Sequence, residues 1–166
     1  YVLTNTTPDR KTIIVSSIAD ATLVAALGQM TPEALLVLIN DIPVESTEKV
    51  LNLLTDAQIQ AVLAIMTDVQ IRDLLIRIET AELEERIISL LTVAQADSLV
   101  AGESDETVNA LVVGVASAAA ITLFSIITEE VGSVAVAQLT ETTLGTLLAD
   151  GGAAGQELLT DRLVSD

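Results

Sequence analysis

Hydrophobic residues along this chain recur in blocks of twelve. The clearest pair is Thr55 to Ile78, TDAQIQAVLAIM followed directly by TDVQIRDLLIRI. Each copy opens on Thr-Asp, places Ile fifth, and is apolar at its eighth, ninth and twelfth positions. The same frame extends over most of the chain. Units start at residues 7, 19, 31, 43, 55 and 67 and, after the single extra residue Glu79, at 80, 92, 104, 116, 128 and 140. Positions eight and nine are apolar in all twelve units. Position twelve fails only at Glu103 and Gly151. Two fully apolar columns in a chain that is 51% hydrophobic are not a product of composition.

The unit predicts a short capped helix. Its first residue is Thr in eight units and Ser in one, the residue types whose side-chain oxygen caps an unpaired N–H of the first turn. Pro8 and Pro32 stand second, where a helix needs no N–H. Acids such as Asp20, Glu33, Asp56 and Asp68 stand second or third, opposite the positive helix end. Apolar residues at five, eight, nine and twelve line one face. A helix of about eight to ten residues is about 12–15 Å long and is marginal alone in water. It must pack on its neighbours, as repeats do in a solenoid. The predicted fold is therefore all-α, a solenoid or superhelix of short capped helices in one domain.

Three regions depart from the frame. Residues 1–18 read as an N-terminal arm or an atypical first repeat: YVLTNT and TIIVS are β-prone around a Thr7-Pro8-Asp9-Arg10 turn, so an extended arm or hairpin competes with helix. Asn5-Thr6-Thr7 matches a glycosylation sequon. Residues 19–150 form the helical repeat domain. Residues 151–166 read as a Gly-rich hinge, Gly151 to Gly155, and a last helix from Gln156 to Val164 that folds back as a cap or docks on a neighbour. Inside the repeat domain, Ala110 to Ile127 carries no charge. Its length meets the lower limit for a membrane helix. Its flanks, Asp105, Glu106, Glu129 and Glu130, offer no basic or aromatic anchors. Burial on several sides within the repeat is the favoured reading and a membrane span at 110–127 the alternative.

The run MTPEALLVLINDIPVESTEKVLNLLTDAQIQAVLAIM resembles the N-terminal superhelical domain of MgtE-type magnesium channels and the related repeats of flagellar motor switch protein G. The resemblance spans about residues 19 to 91 and is one of pattern. It implies a superhelical fold and, as an alternative function, an acidic Mg²⁺- or Ca²⁺-responsive regulatory domain of a transporter. No residue-level metal motif of that family is present.

Composition narrows the chemistry. One Phe, one Tyr and no Trp leave an aliphatic core. A net charge of -17 opposes nucleic-acid binding and docking on anionic membranes, and it favours solubility. No Cys and no His are present, which removes thiol and imidazole catalysis and the usual zinc sites. Carboxylates recur at helix starts, where capping accounts for them. The weak metal candidates are Glu82, Glu84 and Glu85, and Asp105 with Glu106, through oxygen ligands. Arg72, Arg77 and Arg86 suit ion pairs in an acidic surround. No cofactor is expected. A start at Tyr1 instead of Met reads as a processed or excised chain. The scarcity of Lys, two in all, fits a high-salt or extracellular setting, so an extracellular or cell-surface location is expected with the cytoplasm as alternative, and the lack of Cys is compatible with both. The expected function is non-enzymatic: a structural or scaffold subunit that self-assembles into a homo-oligomer or polymer through open solenoid ends and terminal arms.

Overall fold

The computed structural model describes residue 3 and residues 6–164. Among them every regular element is a helix, thirteen in chain order: α1 (Pro8–Ser17), α2 (Asp20–Leu27), α3 (Pro32–Asp41), α4 (Val44–Leu53), α5 (Asp56–Leu63), α6 (Asp68–Arg77), α7 (Ala81–Ser89), α8 (Val93–Ser98), α9 (Asp105–Gly114), α10 (Ser117–Ile126), α11 (Glu129–Ala137), α12 (Glu141–Asp150) and α13 (Gly152–Val164). The twelve unit starts are the N-cap residues of α1 to α12, one for one. Each has an extended backbone, and the helix follows at the next residue. Even Ala19, Pro43 and Ala116, which have no capping side chain, hold the register.

The apolar columns form the core. Position nine is buried in eleven units and half-buried at Leu148. Position eight is buried everywhere except Ile14 and Ala26. Position five is also buried in all but Leu144, although it holds Lys11, Thr47 and Glu84 in three units. Those three polar residues close other helices. Lys11 pairs with Asp41 at the end of α3. The Thr47 hydroxyl donates to the Ile39 and Ile42 carbonyls at 3.3 and 3.4 Å. Glu84 is treated below.

The chain divides into two compact units, Tyr1–Met66 and Thr67–Asp166. Within the first, α1 packs on α4, α2 on α4 and α3 on α5. Lys49 of α4 reaches back to the Ile18 carbonyl that ends α1 (3.4 Å), and Gln58 of α5 to the Leu27 carbonyl that ends α2 (3.3 Å). Within the second, α6 packs on α9, α7 on α10, α9 on α12 and α10 on α13. A spacing of three twelve-residue units thus recurs in α1–α4, α6–α9, α7–α10, α9–α12 and α10–α13, whereas α2–α4 and α3–α5 are two units apart. Like α7 and α12, which end on Leu90 and Gly151, α2, α5, α8 and α11 end on a helical C-cap residue, Gly28, Ala64, Leu99 and Gln138. The last residues of their units, Met30, Met66, Glu103 and Leu139, are only half-buried. The only two methionines, 36 positions apart, carry that longer period in the sequence.

Two open alternatives are decided. Thr12 to Ser16 is not extended: it lies inside α1, where Pro8 opens the first turn and Val15 is wholly buried. Burial of one helical face outweighs the β-preference of these residues. Tyr1, Val2, Thr4 and Asn5, with the sequon that Asn5 begins, lie outside the described residues. The uncharged stretch 110–127 is not one helix either. It breaks at Val115 (φ -112, ψ 159) and Ala116 into α9 and α10, and among the described residues no helix is long and apolar enough to cross a membrane. Its lack of charge has another cause. α10 is surrounded by α7, α8, α9, α12 and α13, and Ala119, Ala120, Leu123 and Phe124 are fully buried. Small residues let the backbones approach: a Cβ on Gly114 would stand 2.8 Å from Ile76 Cγ1.

Candidate functional site

The side chains with chemical potential are mostly spent on helix ends. In α5, α6 and α8 the N-cap is self-contained. Thr55, Thr67 and Thr92 accept from the third helical N–H, while Gln58, Gln70 and Gln95 accept from the N-cap N–H. This reciprocal capping box satisfies two orphan donors within one turn.

In α10, α11 and α12 the N-cap N–H is satisfied from a distance. Glu84 Oε2 accepts from the Ala116 N–H at 2.7 Å. Asp97 Oδ1 accepts from Thr128 at 2.8 Å, and Asn109 Oδ1 from Thr140 at 2.9 Å. Each acceptor sits fifth or sixth in its unit and serves the unit three places later. The result is a ladder of polar bonds beside the apolar columns. Asn109 also donates through Nδ2 to the Gln138 carbonyl at the end of α11 (2.7 Å), and Gln138 Nε2 returns a bond to the Glu103 carbonyl before α9 (3.0 Å). Arg72 joins α6 to the end of α8, donating to the Leu99 carbonyl at 2.9 Å and pairing with Glu103 at 2.9 Å. That fulfils the ion-pair expectation for Arg72.

This geometry answers the question of the acidic candidates. Glu84 is buried and turned to the α10 N-terminus, whereas Glu82 and Glu85 on the same helix are exposed. Asp105 and Glu106 are exposed in the first turn of α9. Among the described residues no group of three or more His, Cys, Asp or Glu is placed to hold a metal ion. Asp97, Asn109 and Arg162, three of the residues with long-range polar roles, carry no signal of their own in the sequence. The available signal was Ala116, an N-cap without a capping side chain, preceded three units earlier by an acid in an apolar column.

The Glu33 carboxylate is perturbed. Glu33 lies below the usual glutamate range because its own backbone N–H and the Thr31 hydroxyl donate to its charged form. It is fully exposed in the first turn of α3, so the effect belongs to the helix N-terminus and not to a cleft. Open concavities exist beside α9 and α12, of about 220 Å³ against Val113, Thr142 and Thr146, and between α11 and α13, of about 260 Å³ against Glu129, Leu158, Asp161 and Arg162. The first is lined by valine methyls, threonine hydroxyls and Ser117, whose hydroxyl donates to the Asp150 carboxylate at 2.8 Å. No protein-family model matches the chain, and no curated protein or solved structure matches it.

Proposed function

We propose that this protein is a non-enzymatic structural subunit that assembles with copies of itself, in an extracellular or cell-surface setting. The observation that carries the reading is exposed apolar side chains along the repeat, from Val37, Val69 and Val113 at 50%, 57% and 69% to those of α1, α2 and α13. α1 and α2 leave Ile13 and Val24 at 63% and 45% exposure, and α13 leaves Leu163 and Val164 at 42% and 77%. These are two different surfaces. A contact between one and the other is heterologous, and heterologous contacts propagate into rings or filaments. The buried ionisable residues Lys11, Arg72 and Glu84 support the same reading, because each is committed to an ion pair or a helix end.

The net charge of -17 sets the condition for assembly. Like-charged copies repel, and added salt screens that repulsion over a Debye length of about 8–10 Å near physiological ionic strength. Light scattering across a concentration and NaCl series should therefore show mass rising with both. Monomers throughout would overturn the proposal. Repeating a thermal melt with MgCl₂ or CaCl₂ at matched ionic strength tests the alternative, a metal-responsive regulatory domain. A rise in Tm specific to the divalent ion would favour that alternative.

A further inference from the structure

We propose that α13 is the exchangeable joint of this assembly: it seats on α10, α11 and α12 of its own chain or, through the same contacts, of a second copy. The inference rests on the self-assembly reading and names the surface that would perform it. The seat is small and specific. Of the thirteen residues of α13, only Gly155 and Leu159 are buried. Gly155 lies against Ile121 of α10, where a Cβ would come within 3.1 Å of Cδ1. Arg162 then covers the C-terminal end of α10. It donates to the carbonyls of Phe124 at 3.2 Å, Ile127 at 2.9 Å and Thr128 at 2.6 Å. Its guanidinium also lies against α11, so close that a Cβ on Gly132 would stand 2.7 Å from NH1.

These contacts form a lock and key within one sequence, so an identical α13 from a second copy satisfies every one of them. What separates the two arrangements is the connection from α12. That connection is Gly151-Gly152. Gly152 has φ +59, and no heavy atom lies within 4 Å of where its Cβ would be. A glycine there moves between left-handed and other conformations without a Cβ clash, whereas Gly151 beside it is held against Ile121. A concavity of about 260 Å³ lies beside Leu158 and Arg162, next to the close approach of Arg162 to Gly132. Exchange of an identical element between copies is a low-cost route to association, and elements with few buried apolar contacts open first.

The chain has no cysteine, so cross-linking has a clean background. Glu129 is exposed and Leu158 only half-buried, and both line that concavity. Substitution at either leaves the core intact. Full-length E129C and L158C chains are mixed and oxidised with oxidised glutathione. A mixture of E129C with V113C, a highly exposed position on α9, reports random collision. The proposal expects the E129C–L158C disulfide dimer about tenfold or more above that control, because a seated helix holds the two thiols at a millimolar effective concentration. Equal yields would overturn it, as would an E129C/L158C double variant that closes only within single chains. Growth in light scattering without the specific cross-link leaves self-assembly standing and removes the exchange. Monomers in scattering together with no cross-link remove both.

Discussion

α6 and α10 are both ten-residue helices of the second compact unit, and they are capped in opposite ways. α6 carries its own box: Thr67 accepts from Gln70 N–H at 3.3 Å, and Gln70 accepts from Thr67 N–H at 2.9 Å. α10 begins on Ala116, whose side chain offers nothing, and takes its acceptor from Glu84, thirty-two residues earlier. The first arrangement needs only its own turn. The second exists only when α7 is in place beside it. A local cap therefore stabilises one helix, whereas a remote cap couples two. The helices with remote caps are consecutive, α10 to α12, so the unit's later repeats should form cooperatively with its earlier ones.

The largest break in this contrast is E84A. It removes a buried, charge-assisted acceptor and leaves the Ala116 N–H unpaired, at a cost of about 3 kcal/mol. For a chain of this size that lowers Tm by about 6–12 °C. E84Q retains a carbonyl acceptor and should recover most of the loss. Amide exchange would place the effect, with protection falling in the first turn of α10 and in α7 together. A loss confined to α7 would show that the remote cap does not couple the two helices.

N109A comes next. It deletes the acceptor for Thr140 and the donor to Gln138, for about 2 kcal/mol. N109D sharpens the test. It keeps an acceptor for Thr140 but turns an oxygen toward the Gln138 and Asp105 carbonyls, so it should be no more stable than N109A. Urea midpoints for the pair decide it.

The twelve-residue frame was readable because its determinants are local. An N-cap and four apolar positions act within one helix, so twelve unit starts became twelve N-caps. The three-unit stacking was not readable in the same way. Which helix meets which depends on the backbone at the corners, such as the helical C-caps Gly28 and Ala64 against the extended Ile42 and Leu54. The apolar columns are alike across those corners. Glu84 shows the same limit at one residue. Its acidity is visible in the sequence, and it suggested a ligand. Its partner, a backbone N–H with no side-chain signature, is not visible there. The Gly-rich segment 151–155 likewise reads as a linker, yet Gly152 already opens α13, and Gly155 is glycine because Ile121 lies against it.

Against these, T67A is the local counterpart. It removes one side-chain cap and half of a box, for about 1 kcal/mol. Exchange protection should fall in the first turn of α6 and leave α10 unchanged. A matching loss in α10 would erase the distinction between the two kinds of cap.

The smallest effect is at Glu33, and it tests whether a local cap leaves any electrostatic trace in an exposed helix. The Glu33 carboxylate is held below its ordinary value by its own backbone N–H and then by Thr31. A depressed acid contributes stability that is present above its unfolded pKa. That contribution is lost as pH falls through the lower folded value. The group is fully exposed, so the readout is its own titration and not the melt. Carbon-detected NMR should place Glu33 below the ordinary glutamate value, and T31A should move it part of the way back. Full return to the ordinary value on T31A would mean that the hydroxyl, and not the backbone N–H, is the principal cause. Helix starts that lack a Thr hydroxyl would then have no such trace, and the remote acceptors of α10 to α12 would be the stronger electrostatic device.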